Sequence, residues 1–338
     1  MKKDPKKILI VRNDHIGDFV LTTSVFRELK KKYPKSKIIL ITSKSNLALA
    51  EKNKNIDEIW ELEIPQYKLG TIWRYLKTAW RIRKEKFDVG IDFRGSLLIS
   101  SLLLWLGGVK KRIGKCDNYH NNKLNFLVSL FQTDPVITNY YTNKRHITKE
   151  NLYIVNKGLG TDIKKNWPEI CFDLQDKKEV EEFLNKNNLK EYICIFPLTD
   201  APSKQWPLEN FEELLKWLRD CKEDILLIGT KNHLSELEKL TKINKRCKII
   251  TGFNLRKLAI LFNKSKFVLA HDGGPFHIAW ASGARTIELV RNFPPELAAG
   301  KFCALGKTDI IWSNSNDIRD IKISRVKEVM KKYLAHFL

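Results

Sequence analysis

The sequence predicts an α/β protein built from two doubly wound parallel-sheet domains that face each other across a cleft. Three observations lead there. Short continuous runs of Ile, Val and Leu alternate with amphipathic stretches, the signature of strands buried on both faces and covered by helices. The alternation stops near the middle of the chain and then restarts. And 338 residues are long for one hydrophobic core and comfortable for two domains.

The first half opens with a strand over "KILIVR" (Lys7 to Arg12), followed by a helix from about Gly17 to Tyr33. "KIILIT" (Lys37 to Thr42) is a second strand, "DEIWEL" a third and "FDVGIDF" (Phe87 to Phe93) a fourth. Helical patterns fall over Asn46 to Lys52, Ile72 to Lys86 and Gly95 to Leu106. The second half repeats the scheme with strands at "YICIFP" (Tyr192 to Pro197), "DILLIG" (Asp224 to Gly229), "CKIIT" (Cys247 to Thr251), "FVLAHD" (Phe267 to Asp272) and "RTIELV" (Arg285 to Val290). Between the halves, "GLGTDIKKNWPEICFDLQD" has glycines, a proline and no clear period, as a linker does. The expected domains are 1–165 and 191–321, joined by a linker at 166–190 and closed by a C-terminal helix at 322–338.

Composition narrows the function. With 43% hydrophobic and 30% charged residues the chain is a globular protein. The most apolar stretch, "SLLISSLLLWLGGV" (Ser96 to Val109), is too short to span a bilayer and reads as a buried helix. "MKKDPKKILIVR" has too short an apolar run for a signal peptide, so a cytoplasmic location is expected. Six scattered cysteines without a C-x-x-C pair read as reduced thiols, not as a disulfide framework or zinc site. The net charge of +22 suits an anionic partner such as nucleic acid, phospholipid or a phosphorylated glycolipid. A merely solvated lysine-rich surface explains it equally well. A helix-turn-helix, an RNP-like aromatic strand and a basic arm are all missing, which counts against nucleic acid.

Two stretches carry chemistry. In "FVLAHDGGPFHIAWASG" (Phe267 to Gly283) a strand ends at Asp272, two glycines follow and Pro275 opens a helix. Its first N–H groups and dipole make an anion site suited to a diphosphate, and His277 stands on the first turn. The plain alternative is a tight turn with Asp272 as N-cap. In "FPLTDAPSKQWPLENF" (Phe196 to Phe211), Lys204 lies in a loop after a strand, where it can neutralise a leaving phosphate or simply be solvated. Trp206 and Pro207 read as packing that fixes this loop. There is no G-x-x-x-x-G-K-[ST], no D-x-D and no H-E-x-x-H, so neither a P-loop nor a carboxylate-held metal is supported.

Together "ILIVRNDHIGDFVLTTSVFRELKKKYP", "PLTDAPSKQWPLENF" and "HDGGPFHIAWASGA", in this order, resemble glycosyltransferase family 9, the ADP-heptose:lipopolysaccharide heptosyltransferases. "FDVGIDFRGSLLISSLLLWLGGVKKRIG" resembles the family's acceptor-domain stretch. The resemblance implies the GT-B architecture of two Rossmann-like domains and metal-independent transfer with inversion. It implies Asp18 as catalytic base, with Lys204, Gly273, Gly274 and His277 on the donor phosphates. Asp272, Thr199, Asp200 and Arg256 are then expected near the donor, and His15 and Arg94 near the acceptor; Asp14 has no counterpart in the family and reads as a loop or helix-cap residue, or as an acceptor contact. No cofactor is implied; ADP-heptose is the substrate. The expected acceptor is an anionic lipopolysaccharide-core glycolipid, with peripheral contact to the inner membrane and no nucleic acid. The departures bear on the donor: Pro197-Leu198 stands where the family has proline-glycine, Gly273 where threonine is common, and "VRNFPPELAAG" lacks the usual G-P-T-x-P loop. Another nucleotide sugar, or another surface-glycan or protein acceptor, is the alternative. "RYLKTAWRIRKEK" (Arg74 to Lys86) and "KKR" at Lys110 supply basic charge for membrane contact, while Trp73 and Trp80 read first as core and second as interfacial anchors.

Overall fold

Apolar runs set the strands of the N-terminal unit: β1 (Lys7–Val11), β2 (Lys37–Thr42), β3 (Glu58–Glu61), β4 (Val89–Asp92), β5 (Lys111–Asp117) and β6 (Asp134–Thr138). They pair in parallel in the order β3-β2-β1-β4-β5-β6. The helices are α1 (Ile16–Val20), α2 (Thr23–Lys32), α3 (Leu47–Ala50), α4 (Leu69–Glu85), α5 (Leu98–Leu106), α6 (Asn122–Leu130) and α7 (Ile147–Leu159). In this computed structural model the described residues are 4–63, 69–94, 98–117, 122–138, 145–292, 302–303 and 306–334. The chain divides into Met1–Cys171 and Phe172–Leu338.

The C-terminal unit holds β7 (Tyr192–Ile195), β8 (Asp224–Ile228), β9 (Cys247–Ile250), β10 (Val268–His271), β11 (Thr286–Val290) and β12 (Thr308–Trp312). Their parallel order is β12-β11-β10-β7-β8-β9. Its helices are α8 (Leu174–Lys186), α9 (Leu208–Trp217), α10 (Leu234–Thr241), α11 (Leu255–Lys264), α12 (Gly274–Ala281) and α13 (Ile323–Lys331). Read from either unit's own first strand, both sheets have the order 3-2-1-4-5-6, the dinucleotide-fold order. Each reverses direction at its centre, between β1 and β4 and between β7 and β10.

The parallel connections run through helices that cover the faces of each sheet. In the N-terminal unit α4 packs on α5 and α5 on α6, while α2 packs on α7. Beneath α4 and α5 lies a core of Leu9, Val11, Ile39, Ile41, Tyr75, Ile82, Leu103 and Leu104. The C-terminal core gathers Ile193, Ile195, Phe211, Leu227, Leu269, Leu289 and Ile311 with Val326 and Met330 of α13.

Several sequence expectations change here. The helix expected over Gly17 to Tyr33 is two helices, because the Thr22 and Thr23 hydroxyls donate to the carbonyls of Asp18 (2.8 Å) and Val20 (2.7 Å) and break the ladder. Strands β5, β6 and β12 have no counterpart in the sequence reading. The expected linker 166–190 contains α8, whose Asp173 and Asp176 form a capping box, and the division between units falls before that helix. Gly95, the expected start of α5, and most of "VRNFPPELAAG" lie outside the described residues.

Candidate functional site

Two clusters stand at the carboxyl ends of the central strands, where ligands bind in open α/β sheets. The first follows β1. Arg12 is buried, and its guanidinium organises the turn. Nη2 lies 3.0 Å from Asp18 Oδ1, Nη1 lies 3.2 Å from Asp14 Oδ2, Nη1 donates to the Phe93 carbonyl after β4, and Nε donates to the Asp18 carbonyl. One cation thus holds two carboxylates and ties β1 to β4.

The two carboxylates differ in reach. Asp14 is 12% exposed and its Oδ1 is buried without a hydrogen-bond partner, whereas Asp18 is 30% exposed. Burial raises the Asp14 pKa and nearby Asp18 adds to the rise, which Arg12 and Arg94 only partly offset. A base must touch the hydroxyl it deprotonates, and Asp18 is the more accessible. Asp14 does not cap α1. The N-cap is His15, which makes no side-chain cap bond, and the Asp14 carbonyl accepts from Ser43 and Asn46. His15 itself is exposed. Arg94 donates weakly to Asn13 Oδ1 (3.5 Å), and its backbone N–H donates to Asp92 Oδ1 (2.9 Å). Burial pushes Asp92 up to about 6. A polar ladder runs on from it: Ser101 donates to Asp92 (3.1 Å), Gln132 to Ser101 (2.9 Å) and Cys116 to Gln132 (3.4 Å).

The second cluster lies beyond β7 and β10. Lys204, on a 3₁₀ turn (Pro202–Lys204), places Nζ 2.5 Å from Asp272 Oδ2. His277 Nε2 is 3.7 Å from Asp272 Oδ1. Burial alone would raise the Asp272 pKa, but the charges of Lys204, His277 and Arg291 hold it below the usual carboxylate value. Asp272 is therefore a tether for a cation, and the alternative reading of it as a cap does not hold. The N-cap of α12 is Gly273, with no side-chain cap. Its extended backbone (φ 170°) suits any residue, and a Cβ there would meet nothing nearer than 4.0 Å. Glycine instead leaves open space in front of the amides of the first helical turn, an anion-binding arrangement.

The Lys204 loop is held from three sides. Gln205 accepts from the Thr199 N–H (2.9 Å) and donates to the Pro197 carbonyl (2.8 Å). His271 Nε2 accepts the Trp206 N–H (3.1 Å), and the fully buried Trp206 ring donates to the Ile321 carbonyl (2.9 Å). The Thr199 hydroxyl accepts from the Ala201 N–H (3.3 Å). Gln205, His271 and Arg291 escaped the sequence reading although all three stand inside the quoted stretches: Gln205 braces its own loop, while His271 and Arg291 act on residues brought to them by the fold.

Other expected residues stand apart. Asp200 is 86% exposed and turns towards His233 (3.3 Å). Arg256 is buried on α11 with Nε 2.6 Å from Asp176 Oδ2 of α8, which makes it a brace between the two helices. All six cysteines are reduced thiols, five of them buried. Among the described residues, no group of His, Cys, Asp and Glu side chains is placed to hold a metal ion, and no helix is long and apolar enough to cross a membrane.

Residues 75–332 match the model of glycosyltransferase family 9 (heptosyltransferase). The lipopolysaccharide core heptosyltransferase OpsX of Haemophilus influenzae is 22% identical over 297 residues, 86% of this chain and 80% of the relative. Lipopolysaccharide heptosyltransferase 2 of Escherichia coli is 22% identical over 303 residues, 86% of this chain and 84% of the relative. Among solved structures, a family 9 glycosyltransferase of Veillonella parvula superposes with a TM-score of 0.83 at 21% identity, covering 99% of both chains. The Escherichia coli ADP-heptose lipopolysaccharide heptosyltransferase II does so with 0.76 at 18% identity, covering 98% of this chain and 99% of that one. The two-sheet GT-B fold is shared with these solved structures, and the chain belongs to glycosyltransferase family 9 as a heptosyltransferase-like glycosyltransferase.

Proposed function

We propose that the protein transfers a heptose from ADP-heptose to the lipopolysaccharide inner core, with inversion and without a metal, at the cytoplasmic face of the inner membrane. The observation that carries this reading is the Lys204–Asp272–His277 cluster set before the open N-terminus of α12. A cation and unpaired amides at one point suit a diphosphate leaving group. A family structure holds a compound of that kind: Escherichia coli heptosyltransferase WaaC with ADP-2-deoxy-2-fluoro heptose, 18% identical with a TM-score of 0.74.

In the reaction, an acceptor hydroxyl oxygen forms a bond to the anomeric carbon as the bond from that carbon to the diphosphate oxygen breaks. The sugar passes through an oxocarbenium-like state, and attack from the opposite face inverts the centre. The hydroxyl proton goes to Asp18, whose Oδ1 is steadied by Arg12. The charge growing on ADP is met by Lys204 and the α12 amides. Asp272 keeps Lys204 aimed at that point before donor arrives. Arg94 and Asp14, beside Asp18, are the acceptor contacts. Because Gly273 lacks a hydroxyl and Asp200 is exposed in the Lys204 loop, a different nucleotide sugar is the second reading.

The test uses purified protein, ADP-heptose and a truncated core acceptor, beside a panel of other nucleotide sugars assayed by thermal shift. ADP-heptose should give the largest stabilisation and should be consumed. Stabilisation and turnover with another nucleotide sugar alone would replace this donor.

A further inference from the structure

The face of the N-terminal unit made by α4, α5 and α6 is unlike the rest of the surface. Of thirteen exposed large hydrophobic side chains among the described residues, eight lie on these three helices. They are Ile72, Trp73, Leu76 and Trp80 on α4, Trp105 on α5, and Phe126, Leu127 and Leu130 on α6. The helices are consecutive, and each packs on the next. Patches of this kind on a soluble unit mark an interaction surface.

Helix α4 shows how the face is built. Tyr75, Ala79 and Ile82, at i, i+4 and i+7, point into the core. Trp73, Leu76 and Trp80, at i, i+3 and i+7, form a second apolar stripe that the core does not use, with Trp73 74% and Trp80 58% exposed. The reading of these two tryptophans as core is therefore wrong. Next to that stripe Arg74, Lys77, Arg81 and Lys84 recur at i, i+3, i+7 and i+10, all exposed. Lys84 Nζ sits 3.4 Å from the Trp80 ring centre. The helix carries five Lys or Arg against one Glu. Arg83 reaches the last carbonyl of α5 (3.5 Å), next to Trp105, and exposed Lys110 follows.

We infer that the α4–α6 face docks on an anionic phospholipid bilayer. Exposed indoles beside a row of cations match the interface of such a bilayer, where aromatic rings enter the headgroup layer and Lys and Arg meet the lipid phosphates. Charge also argues against a second copy as the occupant, because two such faces would bring ten α4 cations together in a chain of net charge +22. The inference deepens the proposed function, since it rests on that reading for its biological sense: a lipid-borne acceptor is presented at that surface.

The test is co-sedimentation of the full chain with vesicles of phosphatidylcholine, with and without phosphatidylglycerol. The protein should partition onto the vesicles containing phosphatidylglycerol and be released by salt. Trp73→Ser with Trp80→Ser should cut partitioning on the order of 10-fold, and Lys77→Glu with Lys84→Glu by a similar factor. Both double variants should keep the wild-type melting temperature, and both should transfer sugar to a lipid-free acceptor fragment at the wild-type rate. Wild-type protein that ignores anionic vesicles at low salt overturns the inference, as do variants that bind as well as wild type. A concentration-dependent dimer that the tryptophan variants dissolve also overturns it in favour of self-association. Vesicle binding without any sugar transfer would sustain the docking surface and sink the proposed reaction, so the two fail separately.

Discussion

The two units repeat one strand order and put opposite chemistry at the same topological point. After β1, the N-terminal sheet gathers two carboxylates around one buried guanidinium. Beyond β7 and β10, the C-terminal sheet gathers a lysine, a histidine and the bare amides of a helix around a single carboxylate. The sheets are interchangeable as scaffolds, and the loops decide which charges the switch point carries. The surfaces differ as well. Ten of the exposed large hydrophobic side chains among the described residues are in the N-terminal unit and three, Phe172, Leu174 and Leu234, in the other.

The strongest way to break the comparison inside the N-terminal unit is Arg12→Met. Removing the guanidinium leaves Asp14 and Asp18 side by side without their shared cation, and the Phe93 carbonyl without its donor. Loss of one partner of a buried charge network costs about 3–5 kcal/mol, so chemical denaturation should show a fall of that order. A variant within 1 kcal/mol of wild type would mean that the cluster does not hold the turn.

In the C-terminal unit, Lys204→Ala should weaken donor binding and lower the transfer rate together, by roughly 10²–10³ in rate, as removing an oxyanion donor does. It should leave folding stability nearly untouched, because Lys204 and Asp272 are both partly exposed. Unchanged donor affinity by calorimetry would make Lys204 an ordinary surface cation.

A smaller effect sharpens the comparison through pH. Asp92, in the N-terminal unit, is raised from 3.8 to about 6 by burial. The fold therefore favours its protonated form; that contribution is complete below about pH 4 and is lost as pH rises to 6. His271, in the C-terminal unit, is lowered from 6.5 to about 4 by burial. The fold favours its neutral form, and that contribution is complete above pH 6.5 and is lost as pH falls to 4. Each is worth at most roughly 3 kcal/mol. Asp92→Asn should gain in melting temperature over wild type between pH 4 and 6. His271→Gln, which keeps an acceptor for the Trp206 N–H, should lose less than wild type on acidification from 6.5 to 4. Melting curves parallel to wild type in both variants would contradict the two assignments.

The central strands were legible in the sequence because burial on both faces leaves continuous apolar runs. The strands it missed are near the sheet margins. In β5, "KRIGKCD" carries cations, β6 contains Pro135, and β12 is an edge strand that is only partly buried. Lys204, Asp272 and His277 were legible as a set, and the structure brings them together. The role of Asp272 was not, because its partner lies 68 residues away. The partner of Arg256 was hidden for the same reason: its carboxylate is Asp176, 80 residues earlier, inside a stretch that lacks an S-x-x-E box and passed for linker. Trp73 and Trp80 were placed in the core because α4 has two apolar stripes, and periodicity alone does not say which one faces inward.

The division of labour between the units stands or falls on Asp18. The decisive measurement is single-turnover transfer by Asp18→Asn beside donor affinity by titration calorimetry on the same preparation. A general base contributes about 10²–10⁴-fold, so transfer should fall by that factor while donor affinity stays within about 2-fold, a margin well under 1 kcal/mol. Near-normal transfer, or a loss of donor affinity as large as that of Lys204→Ala, would contradict the account.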